Sequence, residues 1–152
     1  MNISIARGEL LEALSIVSKG LSSRTTLPIL SGVHVTARND EIVLQATDLE
    51  VSIRTSCKAR VDEPGESVLT GRLLTDIVRS LPEAAVTVTT TQHGTAAITC
   101  GQSSFTMKTL PADDYPKFPE VSSDQRVSLP SGVFSQMVHQ VARSVRRDAT
   151  RP

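Results

Sequence analysis

The opening stretch of this chain recurs near its end, and this recurrence constrains the fold more than any other feature. Ile3-Ser4-Ile5 aligns with Val127-Ser128-Leu129. The same constant offset pairs four later positions: Phe134 with Leu10, Val138 with Leu14, Val141 with Val17, and Pro152 with Pro28. A spacing this long is not that of a solenoid and indicates duplication of a whole domain. The second copy is only begun.

Hydrophobic periodicity predicts a shorter repeat inside the first domain. Residues 2–6 alternate as a strand does, and residues 7–19 place apolar side chains at helical spacing. Three strands are predicted next, at residues 33–35, 42–44 and 51–61. A strand at 67–69, a helix at 72–81 and strands at 86–90, 96–100 and 104–109 then repeat the order. We therefore predict an α+β fold in which β-α-β-β-β occurs twice per domain.

Prolines between polar residues mark an extended connection over residues 110–124. We expect a complete first domain over residues 1–120, a linker over 121–125 and the truncated start of a second domain over 126–152. In that start, residues 127–129 should form a strand. The inward stripe of a following helix should be Phe134, Met137, Val138 and Val141. One strand and one helix cannot bury an apolar face without a sheet, so this tail should be loosely ordered or lean on the first domain.

Composition narrows the classes of function. The formal net charge is zero and the pI is about 6.8, so a nucleic-acid or membrane partner must be met by a local patch. No membrane helix or signal peptide is visible, which predicts a cytosolic protein without a membrane partner. Cys57 and Cys100 stand in separate strand-like segments and are expected to be buried, reduced thiols. His34, His93 and His139 are scattered over a strand, a turn and a helix, which gives no support for a metal site.

One pair of carboxylates is a candidate for a catalytic site. Asp48 and Glu50 are two apart on a strand-like stretch and would point to the same side, as an acid–base or metal-binding pair would. No His, Cys or further carboxylate cluster completes such a site, and Asp48 in Thr-Asp-Leu-Glu is typical of a turn. Neither a phosphate-binding glycine loop nor a nucleophile elbow is present. We predict no catalytic residue, no metal site and no cofactor.

Four motifs in order carry a family resemblance. They are Arg24-Thr25-Thr26-Leu27-Pro28-Ile29-Leu30-Ser31-Gly32, Ala46-Thr47-Asp48-Leu49-Glu50, Leu69-Thr70-Gly71-Arg72-Leu73-Leu74 and Thr109-Leu110-Pro111-Ala112-Asp113-Asp114-Tyr115-Pro116. Over its whole length the chain resembles the amino-terminal part of the bacterial DNA polymerase III β subunits, the sliding clamps. The resemblance implies the DNA clamp fold, with antiparallel sheets outside and two helices inside each domain. It also implies three domains per full-length chain and a head-to-tail homodimer ring around duplex DNA.

The resemblance implies a function for the chain as a fragment of a replicative sliding clamp. Such a clamp encircles duplex DNA and confers processivity on the replicative polymerase, as a non-catalytic part of the DNA polymerase III holoenzyme. The implied location is the cytoplasm, in association with the nucleoid. DNA polymerase III and the clamp loader would bind through parts missing here, so the chain should fail to bind their peptides. The alternative is a stand-alone clamp-like interaction module that binds or caps a complete clamp, which shares every motif above.

The resemblance also implies a set of DNA-binding residues. Polar faces of the first two helices would line the central hole, where weak attraction to phosphates centres a duplex and still lets it slide. Arg24 matches the arginine that the family carries before its Thr-Leu-Pro motif, whereas Glu9 and Glu12 dilute the charge of the first helix. The residues expected to bind DNA are Arg24, Arg7, Lys19, Arg72, Arg79, Arg143, Arg146, Arg147 and Arg151.

A dimer seam is implied in the same way. Its residues would be Phe105, Met107, Ile77 and Leu74. Their alternation fits either a seam or plain core, and from the residues alone core is favoured. Gln102 and Ser104 stand where relatives often carry charge, which argues against a charge-paired interface. Without a third domain, this chain should be monomeric or self-associate weakly at the open seam.

Overall fold

Alternating apolar and polar residues build a sheet that dominates the molecule. A computed structural model describes residues 1–22, 27–91, 93–120, 122, 124–142 and 144–145. The chain divides into two compact units, Met1–Pro119 and Glu120–Pro152. The domain boundaries expected from the sequence stay a prediction. None of the described helices is long and apolar enough to cross a membrane.

The first unit holds nine strands and two α-helices among its described residues. The strands are β1 Asn2–Ala6, β2 Gly32–Arg38, β3 Glu41–Thr47, β4 Ser52–Lys58, β5 Arg60–Glu63, β6 Gly65–Thr70, β7 Ala85–Thr90, β8 Thr95–Cys100 and β9 Ser103–Leu110. The helices are α1 Arg7–Val17 and α2 Gly71–Ser80, and 3-10 turns cover Ser18–Gly20, Pro28–Ser31 and Ala112–Asp114. This order confirms the predicted α+β fold with β-α-β-β-β occurring twice, and β5 is an addition to it.

All strand pairs are antiparallel, and the sheet order is β4-β3-β2-β6-β9-β8-β7-β1-β5. The first strand of each repeat is exchanged: β1 pairs with β7 of the second repeat, and β6 pairs with β2 of the first. The two repeats therefore cannot separate without breaking both pairings. Strands β6 and β9 meet only through Val68 with Leu110 and Leu69 with Thr109.

The long alternating run predicted as one strand over residues 51–61 is two strands, so that prediction was wrong. The break falls at Ala59, whose N–H donates to the carbonyl oxygen of Asp40 at 3.0 Å. Strand β4 before the break pairs with β3, and β5 after it pairs with β1. Alternation runs through the break because both pieces keep one face towards the core, and a side-chain pattern does not reveal which strand pairs with which.

The apolar faces of the two helices meet the sheet in one core. Helix α1 lies against β3, β4 and α2, and α2 also contacts β6. Their buried positions follow the predicted helical spacing: Leu10, Leu14 and Val17 in α1, and Leu74, Ile77 and Val78 in α2. Helix α1 ends at Val17, and the predicted extension to residue 19 is taken up by a 3-10 turn.

Tyr115 anchors the connection after β9 to the sheet. The hydroxyl of Tyr115 lies 3.3 Å from the carbonyl oxygen of Gly32 and 3.2 Å from that of Gln45. Its ring stacks on His34 with centroids 5.1 Å apart. Because Gly32, His34 and Gln45 belong to neighbouring strands, Tyr115 holds the chain to the sheet. The contact continues at Phe118, whose ring centroid lies 3.9 Å from the guanidinium carbon of Arg54 on β4.

The second unit contains helix α3, Ser131–Ala142. Its predicted apolar stripe of Phe134, Met137, Val138 and Val141 is present and exposed. The strand predicted at residues 127–129 was wrong, because these residues have no regular secondary structure. A strand needs a neighbour to accept its hydrogen bonds, and the described residues of this unit provide none.

Candidate nucleic-acid interface

The polar faces of α1 and α2 make up the candidate interface, because both helices bury their opposite faces in the core. Together with the 3-10 turn that follows α1, this surface has four basic residues, Arg7, Lys19, Arg72 and Arg79, and three acidic ones, Glu9, Glu12 and Asp76. The excess of positive charge is small. Such a surface attracts phosphates weakly and offers no built site for a base.

A cleft of about 520 Å³ lies between α2 and the segment that follows α1. It is lined by Ser18, Leu21, Ser22, Ser31, Thr70, Arg72, Thr75, Asp76 and Arg79. The structure therefore brings together three parts of the sequence: the end of α1, the segment around Ser31 and the polar face of α2. Arg72 and Arg79 share this cleft, next to the turn that carries Lys19.

Two of the basic side chains are free to meet a ligand. Arg72 and Lys19 are exposed, and neither side chain has a hydrogen bond or an ion pair with a described residue. Arg79 pairs with Asp76 at 3.5 Å, with both side chains mostly exposed. An exposed ion pair of this kind contributes about 0–1 kcal/mol, so Arg79 can exchange Asp76 for another anion at small cost.

Arg7 differs from the other three because its guanidinium is already bound. Nε donates to the carbonyl oxygen of Val78 at 3.2 Å, and Nη2 donates to that of Arg79 at 2.9 Å. Nη1 donates to Oε2 of Glu83 at 2.8 Å. The side chain is only 21% exposed. Glu83 is not among the predicted site residues, and no local signal in the sequence marks it because it is far from Arg7 in the chain.

The remaining predicted DNA contacts lie outside the described residues. These are Arg24, Arg143, Arg146, Arg147 and Arg151. Their assignment stays a prediction. Ser22, which lines the cleft beside α2, comes two residues before Arg24 in the sequence.

The four residues of the predicted seam are divided between surface and core. Phe105 is 38% exposed, whereas Met107, Ile77 and Leu74 are buried. Strand β9 pairs with β8 along Ser103–Lys108 and with β6 only at Thr109 and Leu110. Among the described residues, the other edge of β9 over residues 103–108 therefore has free backbone donors and acceptors, with Phe105 beside them.

The carboxylate weighed for catalysis serves a turn. Oδ1 of Asp48 accepts hydrogen bonds from the N–H groups of Val51 at 2.7 Å and Glu50 at 3.0 Å. These bonds, that of Val51 above all, hold the pKa of the Asp48 carboxyl below its usual value. Burial raises the pKa of the Cys57 thiol to about 11, which keeps it protonated and a poor nucleophile at neutral pH. Within the described ranges, no group of His, Cys, Asp or Glu could hold a metal ion.

Comparison with known proteins gives one consistent result. The family model described as the DNA polymerase III beta subunit, N-terminal domain, matches residues 1–119. The chain is 37% identical over 152 residues to the beta sliding clamp of Streptomyces coelicolor, covering all of this chain and 40% of that protein. It is 36% identical over 152 residues to the beta sliding clamp of Micrococcus luteus, covering 100% of this chain and 48% of that protein.

Solved structures agree with this relationship. The DNA polymerase sliding clamp of Bacillus subtilis superposes with a TM-score of 0.94 at 29% identity, over 100% of this chain and 42% of that one. The sliding clamp of Caulobacter crescentus gives a TM-score of 0.88 at 30% identity, over 100% of this chain and 42% of that one. The chain thus spans about two fifths of the length of these clamps.

Proposed function

The chain belongs to the DNA polymerase III beta subunit family, and from this premise we propose that it forms part of a sliding clamp that encircles duplex DNA. In this role it confers processivity on the replicative polymerase and carries out no catalysis itself. The proposed partners are duplex DNA of any sequence, a second clamp subunit, DNA polymerase III and the clamp loader. The proposed location is the cytoplasm, on the nucleoid.

The observation that supports this function most is a pair of basic side chains, one on the polar face of α2 and one in the 3-10 turn after α1. Arg72 and Lys19 are exposed and unpaired among the described residues, while the faces behind them are buried. Acidic neighbours keep the attraction weak. A ring holds DNA by its topology, so its wall must attract phosphates without fixing the duplex at one position. Arg24, Arg143, Arg146, Arg147 and Arg151 are proposed to extend this wall.

The free edge of β9 supports a place in a ring. A partner strand could continue the sheet along residues 103–108, with Phe105 contributing apolar contact. Met107, Ile77 and Leu74 would support the seam from inside the core. A strand edge of this length is prone to unwanted pairing unless something covers it.

A chimaeric clamp tests the proposal. This chain would replace the aligned part of the Streptomyces coelicolor clamp, and the purified chimaera would be loaded onto nicked circular DNA. We expect the chimaera to remain on closed circles and to slide off after the DNA is cut. Arg60→Ala, an exposed change on β5, serves as the control that should behave as the unaltered chimaera.

Size-exclusion chromatography and circular dichroism would establish that the chimaera is folded and dimeric. A folded dimer that is not retained on circular DNA would contradict the proposal. A chimaera that folds but stays monomeric would contradict the part assigned to β9. Retention that persists on linear DNA would indicate binding without encirclement and would also count against the ring.

A further inference from the structure

The carboxyl end of α2 has backbone carbonyl groups that need hydrogen-bond donors from outside the helix. The last carbonyl groups of a helix have no partner within it, and they form the negative end of the helix dipole. In α2 these groups include the carbonyl oxygen of Arg79, and the carbonyl oxygen of Val78 has only the N–H of the capping residue Leu81, at 3.3 Å, as a backbone donor. Arg7, the first residue of α1, donates to both carbonyl oxygens. A positively charged side chain from the other helix therefore caps α2.

This cap occupies all three nitrogens of the Arg7 guanidinium. Two donate to backbone carbonyls of α2, and the third donates to Glu83. A phosphate contact by arginine is strongest when two parallel N–H groups are available at once. At Arg7 three of the five N–H groups are used in this way, and a phosphate that approached the other two would meet the negative charge of Glu83. Arg72 faces no such competition among the described residues.

The cap acts on the part of α2 that carries Arg79. Arg79 is next to the last residue of the helix, and its own carbonyl oxygen accepts one of the Arg7 bonds. Without the cap the last turn has no other described side-chain donor on these carbonyls, and turns of this kind fray. Fraying would release the Arg79 side chain from its place in the cleft.

We infer that Arg7 is a positioning residue for DNA: it fixes the last turn of α2 and so the place of Arg79, and it does not contact a phosphate itself. This inference rests on the proposed function and reassigns one of the residues expected to bind DNA.

A charge-preserving substitution separates the two roles of Arg7. Lysine keeps the positive charge but concentrates it in a compact ammonium that cannot span two carbonyls and a carboxylate. We would measure binding of a short DNA duplex to the full chain at several salt concentrations. The variants are Arg7→Lys, Arg7→Ala, Arg79→Ala, both double variants and the control Arg60→Ala.

For a positioning role, Arg7→Lys should weaken binding as much as Arg7→Ala does. Arg79→Ala should weaken binding and reduce the slope of log K against log salt by about 1, the value for one phosphate contact. In the Arg79→Ala background, neither Arg7 variant should weaken binding further. Amide hydrogen exchange at residues 79–81 should be faster in Arg7→Ala and unchanged in Arg79→Ala, which traces the effect to the helix end.

Other results would overturn the inference. Arg7 contacts phosphate directly if Arg7→Lys binds DNA as tightly as the wild type while Arg7→Ala reduces the slope of log K against log salt by about 1. This reduction would then occur both with Arg79 present and in the Arg79→Ala variant. If both Arg7 variants bind as the wild type while Arg79→Ala does not, Arg7 has no role in binding. A wild-type chain that binds no duplex even at low salt would overturn the proposed function together with this role.

Discussion

Helices α1 and α2 can be compared position by position, because their buried residues align. The aligned pairs are Leu10 with Leu74, Leu14 with Val78, and Val17 with Leu81. This alignment places Arg7 of α1 at the position of Gly71 in α2. One residue later, Gly8 corresponds to Arg72. The two copies therefore share an apolar face and differ at their first turn.

The difference at the first turn sets how each helix end is closed. Arg7 caps the end of α2 with charge. The counterpart of Arg7 at the start of α2 is Gly71, which lies against the segment that follows α1. A Cβ atom on Gly71 would lie 2.5 Å from Cδ1 of Leu21 and 3.0 Å from Cγ2 of Val33. The segment after α1 thus packs by apolar contact where an arginine would otherwise stand. Arg72, shifted by one position, is left free for a ligand.

The largest expected loss of stability comes from truncating the apolar face that the two helices share. Leu10→Ala and Leu74→Ala remove counterpart side chains that are 3% and 2% exposed. Each should lower the free energy of unfolding by about 2–5 kcal/mol, from lost burial and the cavity left behind. Urea denaturation followed by circular dichroism would measure both. If one variant lost stability and the other did not lose a comparable amount, the apolar faces of the two helices would not be equivalent.

The next effect concerns the two glycines of the first turns. Gly71→Ala should cost about 1–3 kcal/mol, because the new methyl group overlaps Leu21 and Val33. Gly8→Ala is the matched control: its Cβ would meet only Oε1 of the exposed Glu83, at 3.2 Å. It should stabilise by up to about 1 kcal/mol through helix propensity. The midpoints of urea denaturation would be compared for the two variants. If both midpoints shifted in the same direction, the expected difference between Gly71 and Gly8 would be contradicted.

A smaller effect is expected for the two arginines. Arg7→Ala should destabilise the chain by about 1–2 kcal/mol, since it leaves two helix carbonyls without their charged donor. Arg72→Ala should change stability by less than about 0.5 kcal/mol, because the exposed side chain has no partner in the part of the chain that the structure describes. Thermal melts of the two variants would check this. Equal melting temperatures would show that Arg7 contributes no more to stability than Arg72, and would contradict its role as a helix cap.

The hairpins of the two repeats extend the comparison. Gly101 supplies positive φ (57°) in the turn between β8 and β9, whereas Leu49 adopts it (79°) between β3 and β4. A left-handed conformation costs a non-glycine residue about 1–2 kcal/mol. Leu49→Gly should therefore stabilise by about 0.5 kcal/mol after the added entropy of the unfolded glycine is subtracted. A loss of stability in urea would indicate that the exposed Leu49 side chain makes up for the strain.

The smallest effect is a pH dependence confined to the first repeat. Backbone hydrogen bonds from Val51 and Glu50 lower the pKa of Asp48 from its ordinary value of 3.8. Their stabilising contribution is present above that value and is lost as the pH falls through the lower pKa of the folded chain. Asp48→Asn should remove this part of the acid sensitivity. The free energy of unfolding would be measured against pH in the wild type and in Asp48→Asn. The same slope in both proteins below pH 3.8 would contradict this role of Asp48.

Local pattern was enough to predict the repeat and most of its elements. Apolar residues at helical spacing identified α1 and α2, and alternation located the strands. The same signals failed at Ala59, where alternation continues through a change of partner strand. They also failed at residues 127–129, because β-strand patterning does not form a strand without a neighbour.

The candidate interface could be predicted only in part. Basic residues on the polar helix faces are visible in the sequence, and Arg72 and Lys19 are indeed exposed. The engagement of Arg7 is not visible, because its acceptors Val78 and Arg79 lie on the other helix, about seventy residues away. A one-dimensional pattern shows which side of a helix is polar. It does not show which of the polar groups have already satisfied each other.

The sequence by itself determined the β-α-β-β-β repeat, the buried face of each helix and the family of the chain, because these depend on periodicity and on motifs that are continuous in the chain. Only the tertiary structure decided that β1 and β6 are exchanged between the repeats, and that Arg7 is bound while Arg72 has no partner among the described residues. Such contacts join residues distant in sequence. Their geometry is set when the two repeats pack together, and no local segment encodes it.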